Sequence, residues 1–527
     1  MPLVGIQGLL SNRRQLQSKM IGFSATLRRR DPYVFAAIGA IGLVLAAVQW
    51  AGGAWKAEFD GYPDEAGQFV SGRMIWEYIR SRPHEKPIEW AGQYYLHYPK
   101  IGIGHWPPAY PAIEAVWSLA FHSSRASAMG LQWFFGLAAL SGLYVLARPR
   151  FPAAVTLGIL VVAIATPVFQ NGLEQTMAEL ACLLWSVVFI IAMLRLLDNP
   201  SRNAVYLLIL ALLAAGLTKG TAVCLVPVPP LALLASRRRL PAQAWWPIAV
   251  GGGLLGACAL WYAFSINIVH WGGLTSSMPW PIPNLGRLAG WGFVGLALLG
   301  LRRDHLSIVA GSMLVSAAVT SFFVRAMNEP RHWIIILPAI LILAANSVTQ
   351  LPWRYLAVPL LLALALFPYS WYRQPRTGYM DLVRQLHLPA RMLVSSGRSS
   401  WEGGWIAEVS LAEHYPGSFV VRGTKVFADS DWNGVHYRLI TTTPAGVVER
   451  LDELAIDTII VDLHNATRAP DYTLLLSAIA GNPTWNPCGS AKEMAAYCRT
   501  RPPVAPRKPL IVEAGGWRFV EKLGVSH

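Results

Sequence analysis

Carboxylates are scarce in this chain, where only 14% of the 527 residues are charged. Yet Asp60, Asp64 and Glu65 fall together in the stretch 55–108, directly after the first apolar run. A carboxylate held beside other ionisable groups can take the proton of a hydroxyl as that hydroxyl attacks an electrophile. The bland reading is level with it locally. Pro63-Asp64-Glu65 is also an ordinary helix start, with proline at the first position and acids facing the positive end of the helix. Further along comes His97-Tyr-Pro-Lys100-Ile-Gly-Ile-Gly-His105-Trp-Pro-Pro108. Such a run suits a loop that presents donors to a phosphate or hydroxyl, or one whose His and Lys are simply solvated.

Other isolated charges punctuate apolar sequence. Glu174 and Glu179 flank the entry to one apolar run, and Lys219 lies in the turn Thr218-Lys219-Gly220. Charges at such depth are costly and tend to be functional or paired, although a lysine can also snorkel to the interface. Glu329, Arg331 and His332 open another run. An arginine there can hold a phosphate in bidentate fashion or pair with Glu329.

These residues must be positioned by membrane-spanning helices. The chain is 54% hydrophobic with a mean hydropathy of +0.39, too apolar for a soluble protein of this length. Lys and Arg outnumber Asp and Glu by 44 to 29, a net +15. The excess lies in short loops between apolar runs, as cytoplasmic loops require, so nucleic acid is not the expected partner. The 22 tryptophans suit both membrane interfaces and sugar faces and decide nothing alone. Spans are expected at about 33–51, 128–147, 152–169, 177–196, 203–217, 221–235, 245–265, 286–301, 306–325, 333–348 and 354–370. Residues 1–32 are expected to form a basic cytoplasmic N-terminus with no typical cleavable signal peptide, followed by a transmembrane domain, 33–370, with an outer loop at 52–127. Segment 107–122 is apolar but short. It reads as a helix in the outer interface, because counting it as a span would invert every later loop. On this topology Asp64, Glu65, Glu174, Glu179, Lys219, Glu329 and Arg331 all lie on the outer side.

Composition changes near 376. Residues 376–527 carry mixed charge and no run long enough to span. Strand-like 391–395, helix-like 446–454 and strand-like 457–462 predict a small extracytoplasmic α/β domain. Cys488 and Cys498, ten residues apart, could pair on an oxidising side. Cys182, Cys224 and Cys258 fall in spans and read as packing residues. Trp401, Trp405 and Trp432 read as core residues ahead of glycan platforms. No Cys/His spacing suggests zinc, and no internal repeat is visible.

The ordered set is specific where its members are not. A span is followed by an outer Asp-Glu helix start, a loop ending in Pro107-Pro108, Thr166-Pro167, an acid opening a span, Leu-Thr-Lys-Gly, and Arg331-His332 with Pro338 beyond. Over about residues 30–350 this resembles the GT-C superfamily of integral membrane glycosyltransferases. The branch is like family 39, which includes protein O-mannosyltransferases and the lipid A aminoarabinose transferase. The resemblance implies a mainly α fold of about eleven spans and a catalytic base at Asp64, with Glu65 beside it. It implies a second acid at Glu179, with Glu174 in reserve, and substrate or phosphate binding by Lys219 and Arg331, with His332 next to it. The chain departs from the aminoarabinose branch at His105-Trp106, where that branch has Glu-Lys. Lys100 or His105 is then expected to serve in place of the missing lysine.

The expected reaction is sugar transfer from a polyprenyl-phosphate donor to an acceptor hydroxyl of a glycan, lipid or protein. It would occur at the outer face of a bacterial cytoplasmic membrane, by an inverting displacement. No cofactor is required with certainty. The carboxylates are compatible with a divalent metal, although other members of the branch work without one. The alternatives are a transporter or flippase for a lipid-linked sugar, and a membrane-anchored scaffold. Charges confined to one face and the lack of a repeat argue against the transporter, and the carboxylates at 60–65 argue against the scaffold.

Overall fold

The structure is a computed structural model. It describes residues 32–59, 62–104, 106–240, 242–266, 281–323, 329–350, 377–397, 399–429, 437–463, 469–501, 505–514 and 517–522. The chain divides into two compact units, Met1–Ala51 and Gly52–His527. The first carries one apolar helix, α1 (Pro32–Gly52), whose last residue opens the second unit.

In the second unit, α2 (Pro63–Ser81), α3 (Pro87–His97) and α4 (Ala109–Phe121) precede the long helices. These are α5 (Arg125–Ala147), α6 (Ala153–Ala165), α7 (Pro167–Glu174), α8 (Glu179–Asp198), α9 (Arg202–Thr218), α10 (Val228–Ser236), α11 (Ala242–Ile266), α12 (Pro281–Ala289), α13 (Trp291–Leu299), α14 (His305–Phe323) and α15 (Leu337–Val348). A 3-10 turn, Pro330–Ile336, leads into α15. Three helical stretches, 125–147, 179–198 and 330–348, are long and apolar enough to cross a membrane, among the described residues. A fourth crossing results if α6 and α7 form one span bent by 60°. The chain is a mainly helical, membrane-embedded protein.

Several expected spans are subdivided. The run at 152–169 breaks at Thr166, which is extended because Pro167 comes after it. The run at 286–301 is two helices that part at Gly290, whose φ of 79° suits glycine. The run at 354–370 lies outside the described residues. Helices α8 and α9 pack against each other, and α8 also packs on α5. Where α13 ends against α15, a Cβ on Gly300 would overlap the Leu343 carbonyl oxygen, so only glycine permits that approach.

The C-terminal part comprises α16 (Tyr379–Gln385), β1 (Arg391–Ser395), α17 (Ser399–Ala412), β2 (Phe419–Arg422), α18 (Gly423–Val426), β3 (Ala428–Asp429), β4 (Arg438–Leu439), α19 (Pro444–Glu453), β5 (Thr458–Asp462), α20 (Pro470–Ile479), β6 (Trp485–Ala491), β7 (Met494–Arg499), β8 (Ile511–Ala514) and β9 (Trp517–Val520). Strands β2, β1 and β5 run parallel at the start of a five-stranded sheet of order β2-β1-β5-β7-β6, with β7 antiparallel to both its neighbours. In register, Leu393 faces Val421 on one side and Ile459 on the other. Cys488 and Cys498 are disulfide-bonded across the β6–β7 hairpin.

One apolar core joins this sheet to the first inter-helix segment. Phe59, Phe69, Tyr94 and Tyr98 pack with Tyr379, Met392, Val409 and Trp405. At 3.6 residues per turn the sequence of α2 allows Phe69, Gly72, Met74 and Ile75 to face the membrane. Phe69 instead stacks on Phe59 at 4.1 Å, and Gly72 lies against the Glu114 side chain of α4. Trp405 is fully buried in the shared core and Trp401 packs at its edge, while Trp432 lies outside the described residues.

Candidate functional site

Helix ends bring the candidate charges together. Asp64 is the second residue of α2, Glu179 the first residue of α8, Lys219 the C-cap of α9, and Arg331 the second residue of the turn before α15. Because α8 and α9 pack side by side in opposite directions, the start of one meets the end of the other. Lys219 Nζ pairs there with Glu179 Oε1. Arg331 is the hub. Its Nη2 lies 2.7 Å from Asp64 Oδ2, its Nε 2.7 Å from Glu329 Oε2, and its Nη1 3.4 Å from Glu179 Oε1. The guanidinium also lies 3.8 Å from the centre of the Tyr62 ring, and the Tyr62 hydroxyl donates to Glu329. The pairing of Arg331 with Glu329 is therefore present, and the guanidinium also faces two further carboxylates.

Exposure separates the two acids. The Asp64 side chain is 19% exposed, whereas Glu179 is 1% exposed, so of these two Asp64 is the one open to solvent. Burial pushes the Asp64 carboxyl up, but the Arg331 guanidinium outweighs it, with Lys219 and Lys100 helping. The net shift is downward. Asp64 is thus held as a carboxylate. Burial raises the Tyr62 phenol, which stays protonated as a donor to Glu329.

Glu65 and Glu174 do not join this group. Glu65 points the other way and is fully buried. Its Oε1 accepts from Arg125 Nη1 at 2.6 Å and from the Thr176 backbone N–H at 3.1 Å. The Glu174 backbone carbonyl accepts from Arg125 Nη2 at 2.9 Å. Lys100 is separate again. It is buried, with Cε 2.8 Å from where a Cβ on Gly403 of α17 would sit. Burial and the nearby Arg422 lower its ammonium to about 7, opposed by Asp64 and Glu402. His332 is half-buried on the turn beside Arg331, and its backbone N–H donates to the Glu329 carbonyl. His105 lies outside the described residues.

The loop that carries Lys100 is pinned to α2. The Gly102 N–H donates to Ser71 Oγ at 3.0 Å, and the Trp106 ring wedges so closely between Gly67 and Gly102 that a Cβ at either would overlap it. Reasoning from sequence missed Tyr62, Glu58 and Arg125. Glu58 carried a signal, as another carboxylate in the same acid-poor chain. Arg125 carried none, because one basic residue at a span end fits any topology. Among the described residues no group of three His, Cys, Asp or Glu is placed to hold a metal ion.

No family model and no curated protein sequence matches the chain. Solved structures do share its fold. ArnT from Cupriavidus metallidurans bound to undecaprenyl phosphate aligns with a TM-score of 0.59 at 13% identity, over 89% of this chain and 98% of that one. The apo state of ArnT aligns at 0.57 with 14% identity, over 88% and 98%. The arabinofuranosyltransferase AftD from Mycobacteria aligns at 0.50 with 13% identity, over 91% of this chain but 42% of AftD. The mainly helical fold implied by the resemblance is the one these structures share, while the count of about eleven spans is not established by them.

Proposed function

We propose that this protein transfers a sugar from a polyprenyl-phosphate donor to an acceptor hydroxyl on a glycan, lipid or protein. The reaction takes place at the outer face of a bacterial cytoplasmic membrane, which the chain crosses about eleven times with its N-terminus inside. The observation that carries this reading is the Asp64–Arg331 pair. It is a partly exposed carboxylate and an arginine fork in contact, with Glu179 and Lys219 behind them. The fold shared with ArnT, solved with undecaprenyl phosphate, supports a lipid phosphate as the donor's leaving group.

The arrangement contains its own control. In this arrangement Arg331 neutralises Asp64 and keeps it a weak base. A donor phosphate offers the guanidinium a better bidentate partner. As Arg331 turns toward phosphate, Asp64 loses the attraction that lowered its pKa while keeping the burial that raises it. Its basicity therefore increases when the donor is bound. The acceptor proton then moves to the Asp64 carboxylate, and the acceptor oxygen bonds to the anomeric carbon. The bond from that carbon to the phosphate oxygen breaks, and its electron pair leaves on the lipid phosphate. Arg331 and Lys219 stabilise the charge that grows there. A single displacement inverts the anomeric centre. Glu179, sealed between Lys219 and Arg331, orients both cations.

The test is to supply the purified protein, in lipid nanodiscs, with a panel of undecaprenyl-phosphate pentoses and hexoses and a cell-envelope extract as acceptor. Release of undecaprenyl phosphate with sugar appearing in the extract is the expected result. Transport of intact donor between leaflets without cleavage would replace this reading with that of a flippase.

A further inference from the structure

The two acids of the proposed site sit on separate segments, 62–65 and 174–179, and a third residue holds both segments. Arg125, the first residue of α5, is 5% exposed. Its Nη1 donates to Glu65 Oε1 at 2.6 Å and to the Glu58 carbonyl at 3.3 Å, and its Nη2 donates to the Glu174 carbonyl at 2.9 Å. The guanidinium lies over the Phe59 ring at 4.9 Å. Glu65 closes the frame by also accepting the Thr176 N–H. Each held residue is a near neighbour of a site acid. Glu65 adjoins Asp64, and Thr176 precedes Glu179 by three residues.

We propose that Arg125 is a positioning residue that fixes the separation between Asp64 and Glu179, and so the place where Arg331 meets both. This rests on the glycosyltransfer reading of the site. Arg125 itself touches neither Asp64 nor Glu179 in any contact described, and acts through Glu65 and the 174–176 backbone. The planar fork is what the role needs. A guanidinium satisfies three acceptors on two segments in fixed directions, whereas an ammonium keeps the charge but not the geometry. A displacement of about 1 Å between reacting groups can cost on the order of 100-fold in rate.

The experiment compares wild-type protein with Arg125→Lys and Glu65→Asp, each full-length in nanodiscs, with rates expressed per folded molecule. Either variant should lower kcat by roughly 10- to 100-fold, leave the donor KM within about threefold, and leave undecaprenyl phosphate binding unchanged. Combined with Asp64→Asn, Arg125→Lys should cause little further loss, because no base remains to be positioned. Variants that unfold more readily but keep wild-type kcat per folded molecule would overturn the proposal, and so would full additivity with Asp64→Asn. A wild-type protein that turns over no lipid-phosphate sugar would sink the functional reading itself. An active wild type with equally active variants would sink the positioning role alone.

Discussion

Arg331 and Asp64 stand 267 residues apart in the chain and meet at 2.7 Å between Nη2 and Oδ2. That contact joins the start of the turn before α15 to the start of α2. It places the guanidinium at the centre of the site on a partly exposed acid, whose carboxyl it lowers.

Replacing Arg331 with Gln removes the attraction that lowers Asp64 and leaves burial unopposed. A lowered carboxyl titrates below the ordinary carboxylate range, so wild-type kcat/KM should be flat through neutral pH and fall only in strong acid. In Arg331→Gln the acid limb should move to higher pH, and kcat/KM at pH 7 should drop by about 100-fold or more as phosphate recognition is lost. A pH–rate profile of the residual turnover measures both effects.

Lys100 couples stability to pH. Its ammonium titrates near 7 in the folded protein instead of 10.5. Between those values the unfolded chain binds a proton that the folded chain does not, so stability should rise with pH across that window. Lys100→Met removes the penalty. It should raise stability at pH 7 by up to about 4 kcal/mol, with the advantage shrinking as pH approaches 10. If Lys100 also serves the donor, the same variant should lose turnover. Thermal unfolding at several pH values, beside a donor-turnover assay, separates the two effects.

Glu58 ties the α/β layer to the same segment that carries Asp64. Its carboxylate accepts the backbone N–H groups of Thr377, Gly378 and Met380, at 2.7 Å from Thr377 and 2.9 Å from Met380. Glu58→Ala leaves those donors unmatched in a buried place, at about 1–3 kcal/mol for each group left unpaired. Hydrogen exchange should accelerate at 377–380 and at 58–65, while β1 and β5 stay protected. Unchanged exchange at 377–380 would contradict the role assigned to Glu58.

Gly300→Ala tests the helix layer independently of the site. The added methyl would overlap the Leu343 carbonyl, which is backbone and cannot rotate away. The expected cost is roughly 1–3 kcal/mol through parting of α13 and α15, seen as a lower Tm in detergent with donor binding retained.

Much of this was legible because periodicity and composition act locally. The strand expected at 391–395 is β1, and the helix and strand expected at 446–454 and 457–462 are α19 and β5, within a few residues. Asp64, Glu179, Lys219 and Arg331 were each marked by the cost of a charge in apolar surroundings, and the structure gathers those four. Pairing direction was not legible. Nothing local told Glu65 to turn toward Arg125 while its neighbour Asp64 turned toward Arg331, since the two point to different sides of α2. Nor could the face of α2 be read. Phe69 and Gly72 look lipid-facing until α4 and the C-terminal sheet are known to cover them. The breaks at Thr166 and Gly290 were signalled by Pro167 and by glycine itself, but hydropathy averaged over a window smooths such points away.

Asp64 is the proposed base of the transfer. Asp64→Asn is nearly isosteric and keeps an oxygen for Arg331, so the site should still bind donor. In single-turnover experiments with an undecaprenyl-phosphate sugar that the wild type uses, Asp64→Asn should retain undecaprenyl phosphate binding within a few-fold. It should slow transfer by roughly 100- to 10,000-fold, the usual contribution of a general base. Transfer at the wild-type rate by a folded, donor-binding Asp64→Asn protein would contradict the account.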